Sequence, residues 1–87
     1  MNEFSIAATA MDGPTQITVT MPTNTVGGNI ASSANFNGDV IGAGQSRTFS
    51  LDARNRETAQ FQAASADMNL NGAHIIADKP IAVFSGE

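Results

Sequence analysis

The sequence predicts an all-β fold, a small antiparallel β-sandwich (Ig-like or jelly-roll-like) of about six to seven strands, as a single domain over residues 1–87. Three observations predict it. Apolar residues alternate with polar ones or come in short runs, and nowhere recur at the 3.6-residue period of an amphipathic helix. Gly, Pro, Asn and Asp interrupt those runs about every 8–12 residues, the spacing of sandwiches and barrels. Each interruption also carries turn chemistry: Asp12-Gly13-Pro14, Asn37-Gly38, Asn71-Gly72 and Asp78-Lys79-Pro80.

The first strand runs through Phe4, Ile6, Ala8 and Ala10. Asp12-Gly13-Pro14 turns the chain into Thr15–Met21, where Ile17, Val19 and Met21 point one way and Gln16, Thr18 and Thr20 the other. These two segments are expected to pair as a β-hairpin, ended by Pro22. Residues 23–37 read as loop, with a short strand around Asn29–Ala31 and Phe36 as an anchor. Asn37-Gly38 turns into Val40-Ile41, and Gln45–Leu51 alternates again, with Phe49 and Leu51 opposed to Ser46, Thr48 and Ser50. Asp52–Glu57 is a charged exposed turn of at most one helical turn, after which Ala59, Phe61 and Ala63 mark a strand. Met68 and Leu70 lead into Asn71-Gly72, Ala73–Ala77 forms a short strand, and the Asp78-Lys79-Pro80 corner precedes Ile81-Ala82-Val83-Phe84.

Composition bounds what such a domain does. At 87 residues the chain buries roughly 60–65% of its unfolded surface, a thin margin that small domains supplement with disulfides, metals or partners. With no cysteine and one histidine, His74, neither disulfides nor a thiolate or histidine-rich metal site is available, which leaves partners. Charged residues are 14% of the chain against a typical ~25%. The net charge of −4 gives no basic footprint, so no nucleic-acid partner is expected. No apolar stretch reaches the ~20 residues of a membrane-spanning helix, so no membrane insertion is expected. The N-terminus, Met1-Asn2-Glu3-Phe4, lacks a basic n-region and a long apolar core, so no signal peptide is expected there. N-glycosylation is not expected either, because no Asn-x-Ser/Thr acceptor occurs.

No catalytic constellation emerges, and no enzyme is expected. Asp12, Asp39, Asp52, Asp67 and Asp78 all fall in expected turns, where aspartate serves local hydrogen bonding. Neither an EF-hand nor a nonapeptide calcium pattern occurs, so no metal or cofactor is assigned. Gly42-Ala43-Gly44 lacks the Lys-Ser/Thr and the helix of a phosphate loop. His74 reads as an edge or interface residue. Arg54 and Arg56 with Asp52 and Glu57 read as a solvated turn or a rim contact. Stacking on a sugar wants exposed Trp or Tyr, which are absent, and the five phenylalanines read as core.

The final strand is the exception to the alternating pattern. Ile81, Ala82, Val83 and Phe84 are apolar on both faces, Ile75-Ile76 repeats this, and Ile6-Ala7-Ala8 does so more weakly. An antiparallel sandwich strand should be apolar only toward the core. The second face is therefore expected to be covered, either by a loop such as Gly27–Phe36 or by a neighbouring subunit, with Ile75, Ile81, Val83 and Phe84 as the candidate interface.

The stretch Asn71-Gly72-Ala73-His74-Ile75-Ile76-Ala77-Asp78-Lys79-Pro80-Ile81-Ala82-Val83-Phe84-Ser85-Gly86 resembles the repeating signature of the IgGFc-binding-protein N-terminal domain, which closes each β unit of that family. Ala8–Val19 is similar to the unit's opening hairpin and Gly44–Phe49 to its middle strand. The resemblance covers most of the chain as one unit and implies an extracellular, non-catalytic adhesion or binding module. Because the chain carries one unit rather than several and no cysteine, Fc binding is not carried over. In the motif, Pro80 starts a strand where no N–H is needed, Asp78 is expected to close an Asx-type turn, Lys79 to project outward and Gly86 to allow a tight exit. Two functions follow as expectations. The first is a self-associating structural subunit of a homo-oligomer or larger assembly, such as a virion decoration or tail-associated protein or a surface filament. The second is an extracellular or cell-surface ligand-binding module of a longer protein.

Overall fold

A computed structural model describes residues 3–22, 34–63, 70 and 72–86. Eight strands form two antiparallel sheets: β1 (Glu3–Ala8), β2 (Thr15–Thr20), β3 (Ala34–Phe36), β4 (Asp39–Ile41), β5 (Ser46–Leu51), β6 (Thr58–Ala63), β7 (His74–Ala77) and β8 (Ile81–Gly86). One sheet has the order β4-β3-β6-β1-β8 and the other β5-β2-β7. The expected sandwich is present. β3 and β4, three residues each, are too short for alternation to announce them. The expected strand around Asn29–Ala31 lies outside the described residues, as does Met68.

Among the described residues, only β3 and β4 are consecutive strands of the same sheet; the other consecutive strands lie in different sheets. This corrects the expected hairpin of Phe4–Ala10 with Thr15–Met21. β1 pairs with β6 and β8, while β2 pairs with β5 and β7. Both segments have one apolar face, and a hairpin would set those faces side by side. Crossing between sheets sets them opposite one another, so that each covers the other. Gly13, buried with φ +145°, gives the crossing its shape in a region L-residues rarely enter. An Ig order, in which the first two strands share a sheet, is thereby excluded. The nested pairs β1·β8, β2·β7 and β3·β6 are the jelly-roll side of the expectation.

Period-2 burial builds the core. Phe4 and Ile6 of β1 and Ala59 and Phe61 of β6 face Ile17, Val19 and Met21 across the sandwich, with Ile41, Leu51 and Leu70 closing it. Phe61 is the hub: it stacks on Phe4 (ring centroids 4.8 Å) and Phe36 (4.5 Å) and meets Phe49 of the other sheet at 5.9 Å. Such aromatic pairs add roughly 0.5–1.5 kcal/mol each beyond the area they bury.

Asn37 (φ 51°) and Gly38 (φ 77°) both take positive φ, the type I′ turn that a two-residue hairpin prefers, and link β3 to β4. Gly42–Gln45 docks on the end of β2, where Gly44 N–H donates to Met21 O, Gln45 N–H to Gly42 O, and Gly42 N–H to Gln45 Oε1. Those amides are already used internally, which agrees with rejecting a phosphate-loop role.

Thr15 is the anomaly in the core. It sits on the apolar face of β2, fully buried, and its Oγ1 has no hydrogen-bond partner among the described residues. An unpaired buried hydroxyl costs roughly 1–3 kcal/mol. Thr15→Val should therefore raise stability by about 1 kcal/mol in urea unfolding, while Phe61→Ala should cost about 3–5 kcal/mol, enough to unfold a domain this small.

Candidate binding surface

A sandwich of unequal sheets has two open sides, and here they differ in chemistry. Along one side, β4 and β5 are bridged by charge. Arg47 of β5 reaches across to Asp39 of β4, with Nη2 2.8 Å and Nε 3.3 Å from Oδ2. This pairing holds the Asp39 carboxyl below its ordinary value, first through the hydrogen bond from Arg47, then through the Val40 N–H and the arginine's charge. Charge on an edge discourages a further strand from adding there.

Along the other side run β7 and β8, each the last strand of its sheet. The corner joining them is latched to the β1–β2 crossing. Asp78 Oδ1 accepts from Gln16 N–H (2.9 Å), Gln16 O accepts from Asp78 N–H (3.2 Å), and Thr9 Oγ1 donates to Pro80 O (2.8 Å). Lys79 Nζ lies 3.1 Å from Asp12 Oδ1. Two sequence expectations change here. Asp78 does not close a local Asx turn; its carboxylate ties the corner to a strand 62 residues earlier. Lys79 does not project outward but folds back onto Asp12, because the two crossings stack at one end of the sandwich.

Register assigns the faces of β8. Ile81, Val83 and Ser85 stand opposite Ala8, Ile6 and Phe4 and so lie on the core side, whereas Ala82 and Phe84 stand opposite Ala7 and Ser5 on the outer side. Ile81 and Ile75 pack against the core. Val83, on the core side of β8, is 48% exposed, and Phe84 is 63% exposed. The phenylalanines are thus not all core: four stack inside and Phe84 stands outside. Whether the Gly27–Phe36 loop covers β8 lies largely outside the described residues. Ile76, on the outer face of β7, is 57% exposed. Its signal in the sequence was the Ile75-Ile76 pair, of which one member had to face away from the core. His74 is exposed on edge strand β7, opposite Thr20.

The charged turn 52–57 is self-contained. Asp52 caps the 3₁₀ turn Ala53–Asn55 by accepting from Arg54 N–H, and Arg54 grips the same carboxylate with Nε (3.0 Å) and Nη2 (2.8 Å). Arg56 closes the turn in the left-handed region (φ 56°). Among the described residues no group of His, Asp or Glu is arranged to hold a metal ion. No described helix is long and apolar enough to cross a membrane.

A family model described as IgGFc binding protein matches residues 1–87. No curated protein and no solved structure gives a match.

Three carboxyls are held below their ordinary value of 3.8: Asp12 mainly by the Lys79 hydrogen bond, Asp39 by Arg47 and Asp52 by Arg54. A carboxyl depressed on folding contributes stability that is complete above its unfolded pKa and lost as pH falls through its folded one. The melting temperature should therefore hold steady from pH 7 down to about 5 and fall below about 4. Lys79→Met should lower it at pH 7, and the difference from the parent should shrink toward pH 2–3, as read by circular dichroism over that range.

Proposed function

We propose, because the chain belongs to the IgGFc binding protein family, that it is an extracellular, adhesion-type binding module of a longer surface protein. The family is one of extracellular, non-enzymatic binding modules, which favours this reading over a virion component. The chain works by protein contact, and the contact surface is the β7–β8 side. The observation that carries this is β8 itself: a six-residue edge strand without a charged residue, with Val83 and Phe84 exposed.

Such an edge is a template for strand addition. A second copy of the chain is the partner it fits. β8 against β8 in antiparallel order sets no charge opposite a like charge, and the two-fold contact is self-complementary. It also joins two five-stranded sheets into one continuous sheet. The opposite side, with Asp39 and Arg47 at its margin, offers no equivalent.

Sedimentation equilibrium at micromolar concentration should show a reversible dimer. Val83→Lys should raise its dissociation constant at least tenfold, about 1.4 kcal/mol, while Arg47→Ala should not. A parent protein that stays monomeric to millimolar concentration would remove the self-association, and binding would then rest on a different partner.

A further inference from the structure

We propose that the outer face of the five-stranded sheet binds a neutral saccharide, in the groove between β6 and the β3–β4 turn. The groove has a volume of about 410 Å³ and is lined by Phe36, Asn37, Gly38, Thr58, Gln60 and Gln62. Small-molecule sites run from roughly 300 to 1,000 Å³. β6 supplies Thr58, Gln60 and Gln62 at alternate positions, all exposed, because Ala59, Phe61 and Ala63 take the core side. The Asn37-Gly38 turn rises beside them to form one wall.

The chemistry of the lining selects the ligand. Each glutamine and asparagine amide offers both donors and an acceptor, and the Thr58 hydroxyl does the same. Sugar hydroxyls, which donate and accept together, match such groups better than an apolar or an ionic ligand does. None of the lining residues is ionisable. The Glu3 carboxylate accepts from Gln62 Nε2 at 3.5 Å, and the chain carries a net charge of −4, so an anionic sugar is disfavoured.

An apolar platform stands on the same face. Gln60 pairs with Ser5, and Ser5 with Phe84, so the three lie in one row across β6, β1 and β8. Two strand spacings put Phe84 roughly 10 Å from Gln60, a distance that a chain of two or three sugar units spans. The exposed ring faces the solvent on that side and supplies a stacking surface for the C–H face of a sugar.

The test is an amide-resolved NMR titration of the full chain with lactose, chitobiose and maltose, and with sialyllactose as the anionic comparison. At least one neutral sugar should shift the resonances of Asn37, Thr58, Gln60 and Gln62, with a dissociation constant on the order of 1 mM. Sialyllactose should bind more weakly than lactose if lactose is the ligand. The double variant Gln60→Ala/Gln62→Ala should weaken binding at least tenfold with an unchanged circular dichroism spectrum, since both side chains point away from the core. Phe84→Ala should weaken it less. Val83→Lys should leave it intact, which separates this site from the β8 edge. Shifts confined to other surfaces, undiminished binding by the double variant, or no shift with any neutral sugar up to about 10 mM would overturn the proposal.

Discussion

The Asp78 carboxylate on the Gln16 amide is the contact on which the arrangement of this sandwich turns. Because all consecutive strands but β3 and β4 among the described residues lie in different sheets, hydrogen bonding between chain neighbours does not hold the two layers in register. The layers are held by their shared core and by the contacts made where the chain crosses. At one end Asp78, Lys79 and Pro80 engage Gln16, Asp12 and Thr9, so the crossing before β2 and the crossing before β8 fix each other. That mutual fixing places β7 and β8 side by side as the last strands of their sheets. The edge chemistry of the module follows from it.

Much of the strand content was legible from the sequence, because a period of two survives in residues such as Ile17-Thr18-Val19-Thr20 and Ala59-Gln60-Phe61-Gln62 whatever their partners are. Pairing was not legible. Alternation says which side of a strand is apolar, and both a hairpin and a sheet-crossing turn satisfy that, so Asp12-Gly13-Pro14 suited either. The roles of Asp78 and Lys79 failed for a related reason: their partners, Gln16 and Asp12, are more than sixty residues away in the chain. The two-faced apolarity of Ile81–Phe84 was visible, but which residues face outward depends on the register of β8 against β1, which no local pattern encodes.

The polar groove shows the same limit at the level of a site. Thr58, Gln60 and Gln62 read as the solvent side of a strand, which they are. What makes them walls of a groove is the Asn37-Gly38 turn, some twenty residues earlier, brought beside them when β3 pairs with β6. The two surfaces are chemically distinct. One is an apolar edge on the β7–β8 side, the other a polar groove whose own lining is uncharged, and only Phe84 belongs to both.

The nested pairing has a mechanical corollary. β1 and β8 are antiparallel neighbours, with Glu3 opposite Gly86, so both ends of the described chain leave the sandwich at the same place. Tension applied through those two ends would part the β1–β8 ladder like a zipper, one rung at a time, instead of shearing all of its rungs together. The module would yield under a modest pull by losing β8 first. A copy paired along β8 would then be released together with the strand that held it.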